Sequence, residues 1–415
     1  MRLDCPYCLH SIELAEQDES ADCPACGGPV SVCLDAKTAS NSTEPSAQTH
    51  VHRGLVAARD GDHRRAIVEF TLALALDPFS AKTLNNRGYA HSACREYQRA
   101  IADFDDAIRQ LPMFAAAYNN RGLARIALGQ YGPAIADFDS ALAADPNLAL
   151  AYHNRGMARA ALGHHADAVA DFDRTISLRS EMPSAHHNRG FSQTALAEFE
   201  DAIRAYDTAI RVRPDEAAAW YNRGFVHSQR GDYDSALRDY DEAVRLKPDF
   251  SEAVFLRGDL HRVRGQMARA VNDFNTVIRL KPDFVPAWLR RGECFFVRGE
   301  FARAVADFSE VVRLAPEGSA GYKNRGLAWL ALNDAAAAVA DLSEAIRLDP
   351  GRADAYHQRG NAYRMLGDEE RAVVDYIEAI RLNPLAADAF ESFSRFWTTG
   401  ANSPSDERTI ALELA

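Results

Sequence analysis

The chain of 415 residues carries 59 acidic against 47 basic side chains, a formal charge of −12, and this balance argues against a general nucleic-acid binder, because neutralising phosphates needs clustered Lys and Arg. No run approaches the roughly 18 to 20 uninterrupted apolar residues of a membrane span, and the opening MRLDCPYCLH lacks the apolar core of a secretory signal. Seven cysteines, five of them before residue 34, are an odd, uneven set that does not read as a disulfide framework, so the expected compartment is the reducing cytoplasm.

Residues 1–35 form the first expected element. CPYC at 5–8 and CPACGG at 23–28 are two CxxC pairs separated by 14 residues. Each pair can turn two thiolates toward one tetrahedral ion, and the glycines of the second permit a tight turn. The stretches SIEL and VSVCL alternate like short strands, which predicts a small metal-stapled β-hairpin. The segment resembles a zinc ribbon, and the resemblance implies a structural zinc on Cys5, Cys8, Cys23 and Cys26. A rubredoxin-like iron centre and redox-active CxxC pairs remain as alternatives. So few residues do not bury enough surface to fold alone, whereas structural zinc contributes on the order of 10 to 16 kcal/mol. Cys33 is expected on a strand. Residues 1–46 hold two basic and eight acidic side chains, a net −6, which favours a protein contact over nucleic acid for this segment.

Residues 36–46, AKTASNSTEPS, are small, polar and aperiodic and read as a flexible linker. Beyond them an Arg-Gly pair recurs every 34 residues, from Arg53-Gly54 through Arg121-Gly122 to Arg359-Gly360, and ten such periods fill residues 47–386. Within residues 115–148 apolar and small residues recur at three- and four-residue intervals in both halves, the pattern of two amphipathic helices. Gly129 supplies the turn between them and Pro146 stops the second. Each period is therefore a helical hairpin whose core must be completed by its neighbours.

Counting from each period's start, position 8 is Gly and position 20 is Ala in all ten copies, position 24 is aromatic in nine, and position 32 is Pro in nine. Position 4 is aromatic or leucine in most, as at Leu84, Tyr118 and Trp220. The array resembles the tetratricopeptide repeats (TPR). The resemblance implies an all-α, right-handed superhelical solenoid of ten hairpins whose first helices line the concave side, alongside the small N-terminal β segment. Phe390, Phe393 and Trp397 lie at helical spacing, so residues 387–398 are expected to form a capping helix, followed by a flexible tail, 399–415.

The repeated pair itself has a packing explanation. Glycine at position 8 lets the aromatic at position 24 lie against the backbone, which outweighs roughly 1 kcal/mol of lost helix propensity. Position 7, usually apolar in the family, is Arg, and position 23, roughly level with it across the hairpin, is acidic in nine copies, with Ala205 the exception. Each arginine is expected to pair with that carboxylate or with one in the adjoining repeat; a solvated row and a ligand-binding ladder are the alternatives.

The repeats show no phosphate loop, nucleophile elbow or distinct carboxylate pair, so no enzyme is expected. Their histidines, such as His153, His186 and His187, read as turn or surface residues. What the family implies is a groove, with positions 2, 5, 6, 9, 12 and 13 facing an extended or helical peptide. Position 6 is Asn86, Asn120, Asn154, Asn188, Asn222 and Asn324, amides that can grip a peptide backbone or bond neighbouring helices. Tyr221, Phe225, Phe255, Leu289 and Phe296 are the candidate apolar anchor, with inter-repeat packing as the alternative. The set of Lys, Asn and Arg that holds a carboxyl-terminal tail in some TPR proteins is not assembled in any three consecutive repeats. The expected function is a non-enzymatic protein-interaction scaffold, with the ribbon as a second contact. A regulatory or targeting subunit of an enzyme complex is the runner-up, and a zinc-ribbon nucleic-acid adaptor follows. Partner identity and oligomeric state are not encoded in the pattern.

Overall fold

The computed structural model describes residues 2–4, 11–13, 20–22, 29–31, 45–384 and 391. The cysteines Cys5, Cys8, Cys23 and Cys26, most of the linker, and the expected capping helix and tail at 387–398 and 399–415 (apart from residue 391) lie outside the described residues.

Ahead of the helices, β1 (Arg2–Asp4) pairs antiparallel with β2 (Ser11–Glu13), and β3 (Ser20–Asp22) with β4 (Pro29–Ser31). The two stretches expected to share one hairpin, SIEL and VSVCL, thus fall in separate ladders. Closing a six-residue connection within each ladder demands less loop entropy than joining residue 13 to residue 29.

From Ala47 to Leu382 the chain is helix and turn. The first compact unit, ending at Leu246, contains six hairpins: α1 (Ala47–Arg59) with α2 (His63–Leu76), α3 (Ala81–Ala93) with α4 (Tyr97–Gln110), α5 (Ala115–Ala127) with α6 (Tyr131–Ala144), α7 (Ala149–Ala161) with α8 (His165–Leu178), α9 (Pro183–Ala195) with α10 (Phe199–Val212), and α11 (Ala217–Gln229) with α12 (Tyr233–Leu246). The second unit begins at Lys247 and contains α13 (Ser251–Val263) with α14 (Met267–Leu280), α15 (Val285–Val297) with α16 (Phe301–Leu314), α17 (Ser319–Ala331) with α18 (Ala335–Leu348), and α19 (Ala353–Met365) with α20 (Glu369–Leu382). Within each unit a hairpin's second helix packs on the next hairpin's first, and successive first helices also touch, so each unit presents a layer of first helices.

The invariant positions explain the packing. Ala134 and Phe138 of α6 are fully buried, and Phe138 lies so close to Gly122 that a methyl group there would sit 2.6 Å from its Cε1. The same approach recurs from Gly54 under Phe70 to Gly360 under Tyr376. Small against large at a fixed offset lets the two helices interlock. The turn is equally repetitive. Gly129 adopts φ 73°, and the N–H groups of Gly129 and Gln130 close on the carbonyls of Ile126 and Arg125, each at 2.8 Å, the hydrogen-bond pattern of a left-handed helix stop. Three hairpins hold this conformation without glycine, at Arg95, Ala197 and Asn333, with φ of 60°, 59° and 61°.

Candidate partner-binding face

Position 7 proves to be a staple. Arg121 donates Nη2 to Asp137 of its own hairpin and Nη1 to Asp105 of the preceding one, both at 2.5 Å. Arg155 does the same with Asp171 and Asp139, both at 2.6 Å, and Arg223 with Asp239 and Asp207, both at 2.6 Å. In the second unit Arg291, Arg325 and Arg359 hold Asp307, Asp341 and Asp375 at 2.6 to 2.7 Å and reach back to Asn275, Ser309 and Ser343. Both expected partners are therefore used at once: one guanidinium bridges two hairpins. Burial alone would lower the pKa of Arg155, but the hydrogen bonds and charges of Asp171 and Asp139 more than reverse this and raise it, so this guanidinium stays charged and paired. It breaks at two places. Arg189 faces Ala205 and keeps only Asp173, at 2.9 Å, leaving its Nε buried without a partner. Glu69, the natural partner of Arg53, is taken by His50 at 2.7 Å.

Position 5 turns toward the second helix of its own hairpin rather than outward. His153, His187, Tyr221, Phe255 and His357 lie 5.6 to 6.1 Å, centroid to centroid, from the rings of Phe172, Tyr206, Tyr240, Phe274 and Tyr376. The histidines expected at turns or surfaces are consequently core groups in part: His153 and His186 are buried. His186 donates Nε2 to the Ser180 carbonyl at 2.8 Å, and desolvation pushes the His153 pKa down to about 4.

The position-6 amides fall into two classes. Asn120 donates to Asn85 at 3.0 Å, Asn154 to Asn119 at 2.9 Å, and Asn222 meets His187 Nε2 at 3.1 Å; these three tie a hairpin to its predecessor. Asn86, Asn188 and Asn324 do not make that bond. Their preceding position 5 is Val51, His153 or Leu289: two are aliphatic, and the third is a histidine whose Nδ1 is buried without a partner.

The aromatic anchor named from sequence is dispersed. Phe255, Leu289 and Phe296 are partly buried against the core around Phe274, Phe295 and Phe308, Phe255 also meets Phe284 edge-on at 5.2 Å, and Tyr221 packs on Tyr240. The neighbouring first-helix surface carries ions: Arg262 contacts Asp259 at 2.9 Å, and Arg290 contacts Glu293 at 3.0 Å and Asp259 at 3.5 Å. Phe225 is the member that stays exposed, at 37%.

Phe225 belongs to a row that position 5 conceals. Position 9 of hairpins two to six is Tyr89, Leu123, Met157, Phe191 and Phe225, and positions 12 and 13 of the same hairpins are uncharged. Phe191 is 52% exposed. Between α7 and α9 the row opens into a cleft of about 560 Å³ lined by Met157, Ala160, Ala161, His165, Asn188 and Phe191, with Phe172 behind them. A smaller one of about 120 Å³ lies by Tyr89, Tyr97, Asn120 and Leu123. The signal for this row was in the sequence, as an aromatic or bulky apolar residue at position 9 of each of these five consecutive hairpins. Among the described residues no cluster of His, Cys, Asp and Glu is arranged to hold a metal, and no helix is long and apolar enough to cross a membrane.

Comparison with known proteins agrees with the repeat geometry. A family model described as tetratricopeptide repeat matches residues 85–149, 193–249, 224–283 and 255–319, and a second model of the same description matches 353–384; together they span more than half of the chain. Among solved structures, the C-terminal part of a TPR repeat-containing protein from Cytophaga hutchinsonii superposes with a TM-score of 0.51 at 18% identity, over 57% of this chain and 97% of that one. YrrB, a TPR protein with an unusual peptide-binding site, gives 0.40 at 23% identity over 45% and 95%, and MamA gives 0.38 at 25% over 39% and 94%. No curated protein sequence matches.

Proposed function

The chain belongs to the tetratricopeptide repeat family, and on that premise we propose that it is a non-catalytic interaction scaffold that holds an extended segment of a partner protein along the first helices of hairpins two to six. One observation carries this reading: the uncharged row from Tyr89 to Phe225, with its cleft of about 560 Å³ and the side-chain amide of Asn188 at the rim. In a chain of charge −12, a surface row without ions selects uncharged, apolar ligand side chains. Burying each one supplies roughly 1.5 to 3 kcal/mol, and an amide that both donates and accepts suits a peptide backbone. Two or three such contacts, less the entropy of ordering the segment, correspond to modest affinity.

The N-terminal segment is the second element of the proposal. Four cysteine thiolates in two CxxC pairs are a donor set suited to tetrahedral zinc, and each strand pair flanks one of the CxxC stretches. Cys5, Cys8, Cys23 and Cys26 would hold the ion, whose contribution is structural. A tethered second contact raises the avidity of the scaffold without new groove contacts.

Screening a displayed library of random peptides against the immobilised full-length protein tests the groove. The expected enrichment is of uncharged peptides with bulky apolar residues, and Phe191→Asp, at an exposed position, reduces their binding at least tenfold with helicity unchanged. Enrichment of charged peptides that ignore Phe191→Asp would overturn the assignment. For the metal, one zinc per chain with four thiols protected from alkylation is expected; iron, or freely alkylated thiols, would refute it.

A further inference from the structure

The ten copies of the repeat act as internal controls for one another, and hairpin one departs from the rest on its outward face. Val68, Leu72 and Leu76 of α2, with Phe79 just beyond it, are 57%, 45%, 58% and 84% exposed and lie at successive three- and four-residue intervals, forming one stripe. The residue equivalent to Leu72 is polar or charged in all nine other hairpins, from Asp106 to Glu378, and the equivalent of Phe79 is acidic in five. At the opposite end of the stripe Arg64 and Arg65 are exposed. Neither forms an ion pair with a described residue. They occupy the first turn of α2; the exposed Asp62 carboxylate caps that end by accepting from the Arg65 backbone N–H at 3.0 Å but pairs with neither guanidinium, so both cationic heads remain open to a further anion. Arg53, likewise exposed, lacks the carboxylate that the preceding hairpin supplies to Arg121, Arg155 and Arg223.

We propose that the acidic N-terminal segment, residues 1–44, docks on this α2 stripe, its carboxylates against Arg64 and Arg65 and its apolar side chains against Leu72 and Leu76. Charge complementarity is the first argument: residues 1–46 carry a net −6 from two basic and eight acidic side chains, with Glu13, Glu16, Asp18, Glu19 and Asp22 grouped within ten residues. Tether geometry is the second. The antiparallel hairpin places the end of α2 beside the start of α1, where the segment enters. The 24 residues between Asp22 and Ala47 span up to about 80 Å, whereas α2 is only about 21 Å long. Patch size is the third. Three half-exposed side chains and the more fully exposed Phe79 offer on the order of 400 Å², short of the roughly 800 Å² per partner that a standard stable interface buries. A second copy therefore gains too little, while a tethered segment at millimolar effective concentration does not need more.

The test uses the full-length protein with the exposed Arg65→Lys substitution, treated with a carbodiimide that joins amines to contacting carboxylates and mapped by mass spectrometry. The expected product is a monomer with the introduced amine linked to a carboxylate between residues 13 and 22, its yield reduced at least fivefold by adding Leu72→Asp. Absence of that link in the monomer would overturn the proposal, as would a link insensitive to Leu72→Asp. A link confined to a dimer and rising with protein concentration would also overturn it and assign the stripe to a second copy.

Discussion

Gly122 and Gly132 offer one substitution with two opposite outcomes. Both lie in helices of hairpin three. An added methyl at Gly132, exposed in the first turn of α6, meets nothing within 4 Å, so Gly132→Ala is expected to stabilise by about 0.5 to 1 kcal/mol through backbone entropy. At Gly122 the same methyl falls 2.6 Å from Phe138 Cε1 and 2.8 Å from its Cζ, and that ring is fully buried with no space to withdraw into. Strain of about 2 to 3 kcal/mol, against about 1 kcal/mol of gained helix propensity, leaves Gly122→Ala destabilised by about 1 to 2 kcal/mol. Because repeat arrays do not unfold as a single cooperative unit, the assay is native-state hydrogen exchange at amides of α5 and α6, supported by urea melts. If Gly122→Ala protected those amides as well as Gly132→Ala does, the claim that ring-on-backbone packing fixes this glycine would fail.

Three further outcomes follow from lapses in the register. Ala205→Asp gives Arg189 the carboxylate that eight other hairpins provide, satisfies its buried Nε, and is expected to raise stability by about 1 to 2 kcal/mol in urea melts; a loss would show that hairpin five no longer accommodates the pair. Ala197→Gly relieves a residue held at φ 59° and is expected to add up to about 1 kcal/mol, read as a higher melting temperature, with no gain counting against strain at this turn. His153 has a folded-state pKa of about 4 against an ordinary 6.5, so its unfolded form binds more protons in between. Stability is complete above pH 6.5, falls as the pH drops toward 4, and loses up to about 3 kcal/mol below it. His153→Asn should flatten that slope in pH-dependent urea melts, and an unchanged slope would assign it to other groups.

The hairpins were legible because one period imposes the same local demand ten times: glycine under a ring, alanine opposite, proline after the second helix. Pairing of positions 7 and 23 was legible for the same reason, as an invariant arginine set level with a position that is acidic in nine of ten copies. The second arm of each arginine was not specified, since position 25 runs through Thr71, Asp105, Asn275 and Ser309 and shares only the capacity to accept a hydrogen bond. The candidate face was harder still. Aromatic residues at position 5 attract notice, yet position 5 faces the second helix and is used to cover the ring at position 24. Exposure at position 9 depends on how neighbouring first helices lie against each other, which spacing within one hairpin does not determine.

Departures from the register coincide between hairpins four and five. There Asn188 lacks the amide bond that Asn154 and Asn120 make to their predecessors, His153 is left with an unpartnered nitrogen, Ala205 replaces the paired carboxylate, and the Arg189 to Asp173 contact is the half of the staple that remains. At three other junctions of the first unit, between hairpins two and three, three and four, and five and six, a guanidinium arm and an amide both close the contact. The cleft of about 560 Å³ opens at this junction, which lacks the amide bond its two flanking junctions make. The Asn188 amide, free of a bond to the preceding hairpin, lines the cleft and is available to a ligand, while the stapled junctions between hairpins two, three and four hold the adjoining surface in place, which lowers the entropy lost on binding. Within the row from Tyr89 to Phe225, the junction that bonds least to its own neighbours is thereby the one best suited to recognise something other than another repeat.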